Sequence, residues 1–111
     1  MSKKTKVGFK ERVTFYGRKK QKTVTARIDT GAKRTSIGKK LAKEIGAGKV
    51  LKYKTIKSAS GISKRPVVKL KLKLKGKTFT SLCTVADRSR LKYPALIGRN
   101  VLRRGFVIEG K

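Results

Sequence analysis

Along residues 68–75, Val68, Leu70, Leu72 and Leu74 alternate with Lys69, Lys71, Lys73 and Lys75. A period of two places the aliphatics on one face of a β-strand and the ammonium groups on the other, which predicts a strand with one buried face and one wet face. The same signal recurs more weakly at the start of the chain. Val13, Phe15 and their neighbours through Tyr16 predict one strand, and Val24, Ala26 and Ile28 alternating with Thr25 and Arg27 predict another over Thr23 to Asp29. The basic turn Gly17-Arg18-Lys19-Lys20-Gln21-Lys22 joins them. Next, Ile37, Leu41 and Ile45 recur every four residues behind a capping Thr35 or Ser36 and ahead of Gly46, which predicts a short helix from Ser36 to Ile45. Val50 to Ile56 then reads as a strand, and Lys57 to Pro66 as a loop or hairpin tip. The turn at Gly76-Lys77 leads into a strand over Thr78 to Val85. In the last segment, Tyr93-Pro94-Ala95-Leu96-Ile97 reads as a buried strand running into a tight turn at Gly98 and a helical turn through Leu102, with Phe106-Val107-Ile108 as a final strand. No internal repeat is visible. The elements predict a mostly β chain with one or two short helices, in a small closed or sandwich-like fold.

Composition narrows this further. At 111 residues and 37% hydrophobic, the chain supports one modest core and not two domains. Residues 1–6 read as a basic flexible tail and residues 7–111 as the single domain. The one Cys, Cys83, cannot form an internal disulfide, and with no His the usual ligands of zinc are missing. Hence no metal or other cofactor is expected, and His-based triads are excluded. No run approaches the roughly 18 apolar residues of a spanning helix, and Met1 to Lys10 lacks the apolar stretch of a secretory signal. No long helix pairs a basic face with a broad apolar one, so a membrane is not an expected partner and a cytoplasmic location is. Asn and Gln occur once each, at Asn100 and Gln21, a scarcity that fits a heat-adapted source.

Charge is the dominant feature. Lys and Arg number 33 against 5 Asp and Glu, for a formal charge of +28. A small domain carrying that charge repels itself and is favoured where a polyanion supplies counter-charge. Nucleic acid fits best, with affinity that falls steeply as salt rises. The bland alternative is a soluble protein with solvated lysines. Alternate side chains on the Lys69 to Lys75 strand stand about 6.5 to 7 Å apart, a spacing that can follow nucleic-acid phosphates. The same row also fits a strand edge protected against aggregation.

A motif complicates the charge reading. Asp29-Thr30-Gly31-Ala32 follows an apolar strand, and Leu96-Ile97-Gly98-Arg99-Asn100-Val101-Leu102 follows it far downstream. In that order the pair resembles the retropepsin-like aspartic endopeptidases. The chain is closer still to a bacterial and archaeal branch often described as ATP-dependent zinc proteases, through Ala26 to Lys33, Lys64-Arg65-Pro66-Val67-Val68 and Asp87 to Pro94. The resemblance covers nearly everything from Val7 to Ile108. It implies a closed β-barrel with Asp29 in a loop below a flap and Gly98 packed beneath that loop. It also implies a catalytic dyad of two aspartates sharing a proton. One Asp-Thr-Gly per chain then requires a homodimer with Asp29 from each subunit. Relatives often carry His soon after this motif, whereas Thr35-Ser36-Ile37-Gly38-Lys39 has none. The charge opposes pairing of two such chains, and Lys33 and Arg34 favour an ionised Asp29 over a shared proton. Without catalysis, the Asp29 carboxylate is expected to accept hydrogen bonds from nearby backbone N–H groups and Thr30. Asp87 is expected to pair with Arg88 or Arg90.

Two functions follow, and a third, a DNA-coating chromatin protein, shares the electrostatics of the first. The first is an RNA-binding structural protein on a protease-like scaffold, most concretely a ribosomal protein or ribosome-associated factor in contact with rRNA and neighbouring ribosomal proteins. Its phosphate contacts are expected from Lys3, Lys4 and Lys6; from Arg18, Lys19, Lys20 and Lys22; from Lys33 and Arg34; from Lys69, Lys71, Lys73, Lys75 and Lys77; and from Arg103 and Arg104. Tyr16, Tyr53 or Tyr93 are candidates to stack on unpaired bases, and the chain shows no module for base-specific readout. The second function is a homodimeric aspartic endopeptidase with Asp29 as its catalytic residue.

Overall fold

The computed structural model describes residues 4–109. Among the described residues the chain forms nine strands and two short helices. In chain order these are β1 (Thr5–Val7), β2 (Lys10–Tyr16), β3 (Gln21–Ile28), β4 (Thr35–Gly38), α1 (Lys39–Ile45), β5 (Lys52–Ser58), β6 (Gly61–Leu74), β7 (Lys77–Ala86), β8 (Ala95–Ile97), α2 (Arg99–Leu102) and β9 (Phe106–Ile108). The strands run β2-β3-β8-β4-β7-β6, and β6 returns to β2 to close a six-stranded barrel. Closure pairs the ends of the six-stranded sheet with each other and leaves β5, paired only with β6, as an outer strand beside the barrel. The barrel is closed, as the motifs imply.

The alternation along β6 explains how the barrel closes. Val68, Leu70, Leu72 and Leu74 are buried while Lys69, Lys71 and Lys73 are exposed. They meet Val13 and Phe15 of β2, Val24, Ala26 and Ile28 of β3, and Ala95 and Ile97 of β8 in one core. At 14 residues, β6 is long enough for two partners on one side. Its second half pairs with β2 through Val13↔Leu74 to Tyr16↔Lys71, and its first half pairs with β5. The β6–β7 hairpin turns at Lys75 and Gly76, both left-handed at φ 52° and 78°, the backbone that a tight two-residue hairpin demands.

Several boundaries differ from the sequence pattern. Thr35 to Gly38 is strand β4, and the helix begins only at Lys39. This segment lies between β7 and β8, whose backbones pair with it on both sides, and those non-local bonds outweigh the helical spacing of Ile37, Leu41 and Ile45. All three side chains are buried as expected, and Gly46 ends the helix in the left-handed conformation. The segment Lys57 to Pro66, expected as a loop or hairpin tip, is the end of the β5–β6 hairpin: most of it is paired strand, and only Ala59 and Ser60 separate the two strands. Thr5 and Lys6, read as tail, belong to β1, which pairs in parallel with β9. No helix among the described residues is long and apolar enough to cross a membrane.

Candidate nucleic-acid interface and the Asp-Thr-Gly loop

β8 is hydrogen-bonded between β3 and β4, parallel to the first and antiparallel to the second. The connection from β3 to β4 therefore straddles the end of β8, and that connection carries Asp29-Thr30-Gly31-Ala32. Asp29 is half-buried; its N–H donates to the Ile97 carbonyl at 3.0 Å, and its Oδ1 accepts from the Gly31 N–H at 2.8 Å. The loop is tied from below. The Arg99 and Asn100 N–H groups donate to the Ala32 and Lys33 carbonyls at 2.8 and 3.2 Å, and the Arg99 guanidinium donates to the Thr30 carbonyl at 3.1 Å. Gly98 packs beneath, so close that a Cβ there would lie 2.7 Å from the Arg34 carbonyl carbon. Asp87 is held differently from the expectation: its carboxylate accepts from Ser89, which keeps it below the usual range, while Arg88 Nε donates to the Tyr93 carbonyl. Arg88 is itself shifted downward, chiefly by burial and then by Arg27 and Arg65.

The outer surface near the same loop gathers positive charge. Arg34, just before β4, faces Lys69 of β6 and Arg103 and Arg104 beyond α2 across a groove of about 540 Å³, with Thr80 and Ser81 on its wall. No carboxylate lines it. Its walls are fixed by Asn100, whose Nδ2 donates to Ser81 Oγ at 3.0 Å and to the Leu82 carbonyl at 2.9 Å, and by Arg104, whose guanidinium donates to the Thr80 carbonyl at 2.9 Å. A second groove of about 430 Å³ lies between the β2–β3 turn and β6, and carries Arg18, Lys49, Lys69 and Lys71 with Tyr16. Lys69 lines both grooves, so the two form a single basic track across the barrel wall.

The model of one family, described as RimB-like, retropepsin-like aspartic endopeptidase RimB, matches residues 35–109. The chain belongs to the RimB-like family. The matched span includes Gly98-Arg99-Asn100 and begins just after the Asp-Thr-Gly loop. The solved structures that resemble this RimB-like chain include three from different sources. A crystal structure of a protein with unknown function from Legionella pneumophila subsp. pneumophila str. Philadelphia 1 is 22% identical, covering 96% of this chain and 93% of that one at a TM-score of 0.65. The EIAV protease complexed with the inhibitor HBY-793 is 18% identical over 85% of this chain and 84% of that one, at 0.67. The simian foamy virus (mac) protease in solution is 15% identical over 85% and 91%, at 0.63. These likenesses establish the shared fold. A sequence search of curated proteins gives no match.

Placed on the RimB-like barrel, the expected phosphate contacts separate into groups. Arg34, Lys69, Arg103 and Arg104 converge in one groove, and Arg18 and Lys71 in the adjoining one. Four others are paired with carboxylates: Lys6 with Glu109 at 3.1 Å, Lys20 and Lys22 with Glu44 at 3.4 and 2.7 Å, and Lys75 with Glu11 at 3.4 Å. The Lys22 hydrogen bond is the main reason that Glu44 titrates below its usual range. Lys77 sits 5.3 Å from the Phe106 ring and reaches the Gly105 carbonyl. Lys4, Lys19, Lys33 and Lys73 are exposed, and Lys3 lies outside the described residues. The five acids of the chain are thus all engaged, three in ion pairs and Asp29 and Asp87 in local turns, which leaves the basic track without an internal counter-charge. Lys49 and the cations of the β5–β6 hairpin, Lys52, Lys54, Lys57, Lys64 and Arg65, were not among the expected contacts. Their signal was present: between Glu44 and Asp87 the sequence has eleven Lys and Arg and no acid.

Proposed function

We propose that this chain is an RNA-binding structural protein, a cytoplasmic ribosomal protein or ribosome-associated factor, that holds rRNA phosphates on a retropepsin-like scaffold. The observation carrying this reading is the groove in which Arg34, Lys69, Arg103 and Arg104 converge without a carboxylate. Guanidinium forks suit bidentate phosphate contact and the Lys ammonium an adjustable one. Each phosphate neutralised releases condensed counterions, so a track of unpaired cations binds by backbone and shape. Neighbouring ribosomal proteins would be further partners. Fluorescence anisotropy of a labelled rRNA fragment, titrated at several salt concentrations, tests this. Binding that weakens steeply with salt is expected, and salt-independent or absent binding would reject it.

A second reading, a homodimeric aspartic endopeptidase, is favoured by the family match and by the intact, well-anchored Asp29 loop. It requires two chains of +28 to associate. Loss of peptide cleavage in Asp29→Asn, together with a dimer at physiological salt, would support it. Cleavage unchanged by that substitution would not.

A further inference from the structure

Three tyrosines offer an aromatic face, and their surroundings differ. The Lys71 ammonium lies 5.2 Å from the centre of the Tyr16 ring and the Lys92 ammonium 5.6 Å from that of Tyr93, and both rings are half-buried. Tyr53 is 62% exposed and has no such ring contact among the described residues. It sits on β5, which pairs only with β6 beside the closed barrel. The register Tyr53↔Pro66, Thr55↔Lys64, Lys57↔Ile62 places these six residues on one face of the hairpin, and all but Pro66 are exposed. Along this face Tyr53 is followed by Thr55 and Lys57 at steps of about 6.6 Å, with Lys64 on its diagonal. The hairpin carries Lys52, Lys54, Lys57, Lys64 and Arg65 and no acid.

Edge protection accounts for lysines on such a strand but not for a bare aromatic ring among them. Resting on the RNA reading above, we infer that the β5–β6 hairpin is a second RNA contact in which Tyr53 stacks on an unpaired base while Lys57 and Lys64 hold its flanking phosphates. A ring stacks on a base only where that base has lost a neighbour. Folded RNA presents such bases in loops and bulges, whereas an intact duplex keeps them stacked. The hairpin's cations match the phosphate backbone around the base, and the one acid lining the groove beside Tyr53 and Lys64, Asp87, is held by Ser89.

The test uses the full chain and two labelled RNAs, a stem with a loop of unpaired nucleotides and a blunt duplex of equal length. Tyr53→Ala should weaken binding to the loop RNA roughly 5- to 150-fold, leaving duplex affinity and the salt dependence on both RNAs unchanged. Tyr53→Phe should restore loop binding, and Lys64→Ala should reduce the salt slope on loop RNA. If the wild type binds both RNAs but Tyr53→Ala leaves loop binding intact, or weakens loop and duplex equally, the stacking inference is overturned while the basic track stands. The same holds if Tyr53→Ala spares RNA and instead abolishes binding of an acidic peptide. If the wild type binds neither RNA, the RNA reading itself fails.

Discussion

Asn100 and Thr35, 65 residues apart in sequence, share one oxygen: Asn100 Oδ1 accepts from both the Thr35 N–H and the Thr35 hydroxyl at 2.9 Å each. Thr35 Oγ1 in turn accepts the Gly98 N–H at 3.1 Å, and Asn100 Nδ2 reaches β7. One amide therefore fastens α2 to both β4 and β7 and holds the strand start that follows the Asp29 loop. Asn100→Ala leaves the buried Thr35 N–H without a partner and the Leu82 carbonyl with only the longer bond from Ser81 Oγ, so a loss of about 2–3 kcal/mol is expected, with a fall in Tm of roughly 10–20 °C. Asn100→Asp keeps the acceptors and removes the donor, and should fall between. Urea denaturation checks both, and a change below about 0.5 kcal/mol for the Ala variant would contradict this role.

Gly98 is extended at φ −100°, so its requirement is space and not handedness. A Cβ would meet the backbone of Arg34 at 2.7 and 2.8 Å and the Ala32 carbonyl oxygen at 2.9 Å, and backbone cannot rotate aside. Gly98→Ala is expected to destabilise by about 1–3 kcal/mol as the Asp29 loop lifts from β8. At Gly8 the nearest atom to an added Cβ is at 3.6 Å, so Gly8→Ala serves as the unstrained control in the same denaturation series.

Burial pushes the Cys83 thiol up from 9.0 to about 12, with Arg34 opposing weakly. Above pH 9 the unfolded chain loses the thiol proton and the native chain keeps it, so the unfolded state gains and stability falls as pH rises toward 12. The slope approaches about 1.4 kcal/mol per pH unit for this group. The comparison is with Cys83→Ala, which removes this group alone. The stability advantage of the wild type over that variant should shrink by about 2 kcal/mol between pH 8 and 10.5. A constant difference would refute the shift.

Neutralised and unneutralised cations should behave differently toward RNA. Replacing Arg34 and Arg103 by Ala removes two free cations from the groove and should lower the slope of log K against log salt by about 0.7–0.9 for each phosphate lost. Replacing Lys20 and Lys22 removes two cations that already share Glu44 and should change that slope less. Equal effects from the two pairs would show that the groove has no special part in binding. Arg103 is preferred over Arg104 because Arg104 also packs 5.3 Å from the Phe79 ring, so its loss disturbs the fold.

Much of the barrel could be read directly from the chain because one buried face imposes alternation, as in Val68 to Leu74 and in Val24 to Ile28. Elements held by partners distant in sequence could not. β4 owes its conformation to β7 and β8, β1 to β9, and the start of β6 to β5, and none carries a pattern that names its partner. Gly98 beneath the Asp29 loop was implied by a family resemblance, and the geometry agrees. The basic groove was legible as a list of cations but not as a place, since Arg34, Lys69 and Arg103 meet only when the barrel closes. Asn100 stood out in sequence only by its rarity, and its three-way tie is a property of the fold.

The central claim is that the coat of Lys and Arg, and not the Asp-Thr-Gly loop, describes what this protein now does. Sedimentation of a native cell lysate, with the protein detected in every fraction, tests it most directly. Co-sedimentation with a ribosomal subunit, released only at elevated salt, is the predicted result. Finding the protein free at the top of the gradient, or spread along chromosomal DNA, would contradict the claim.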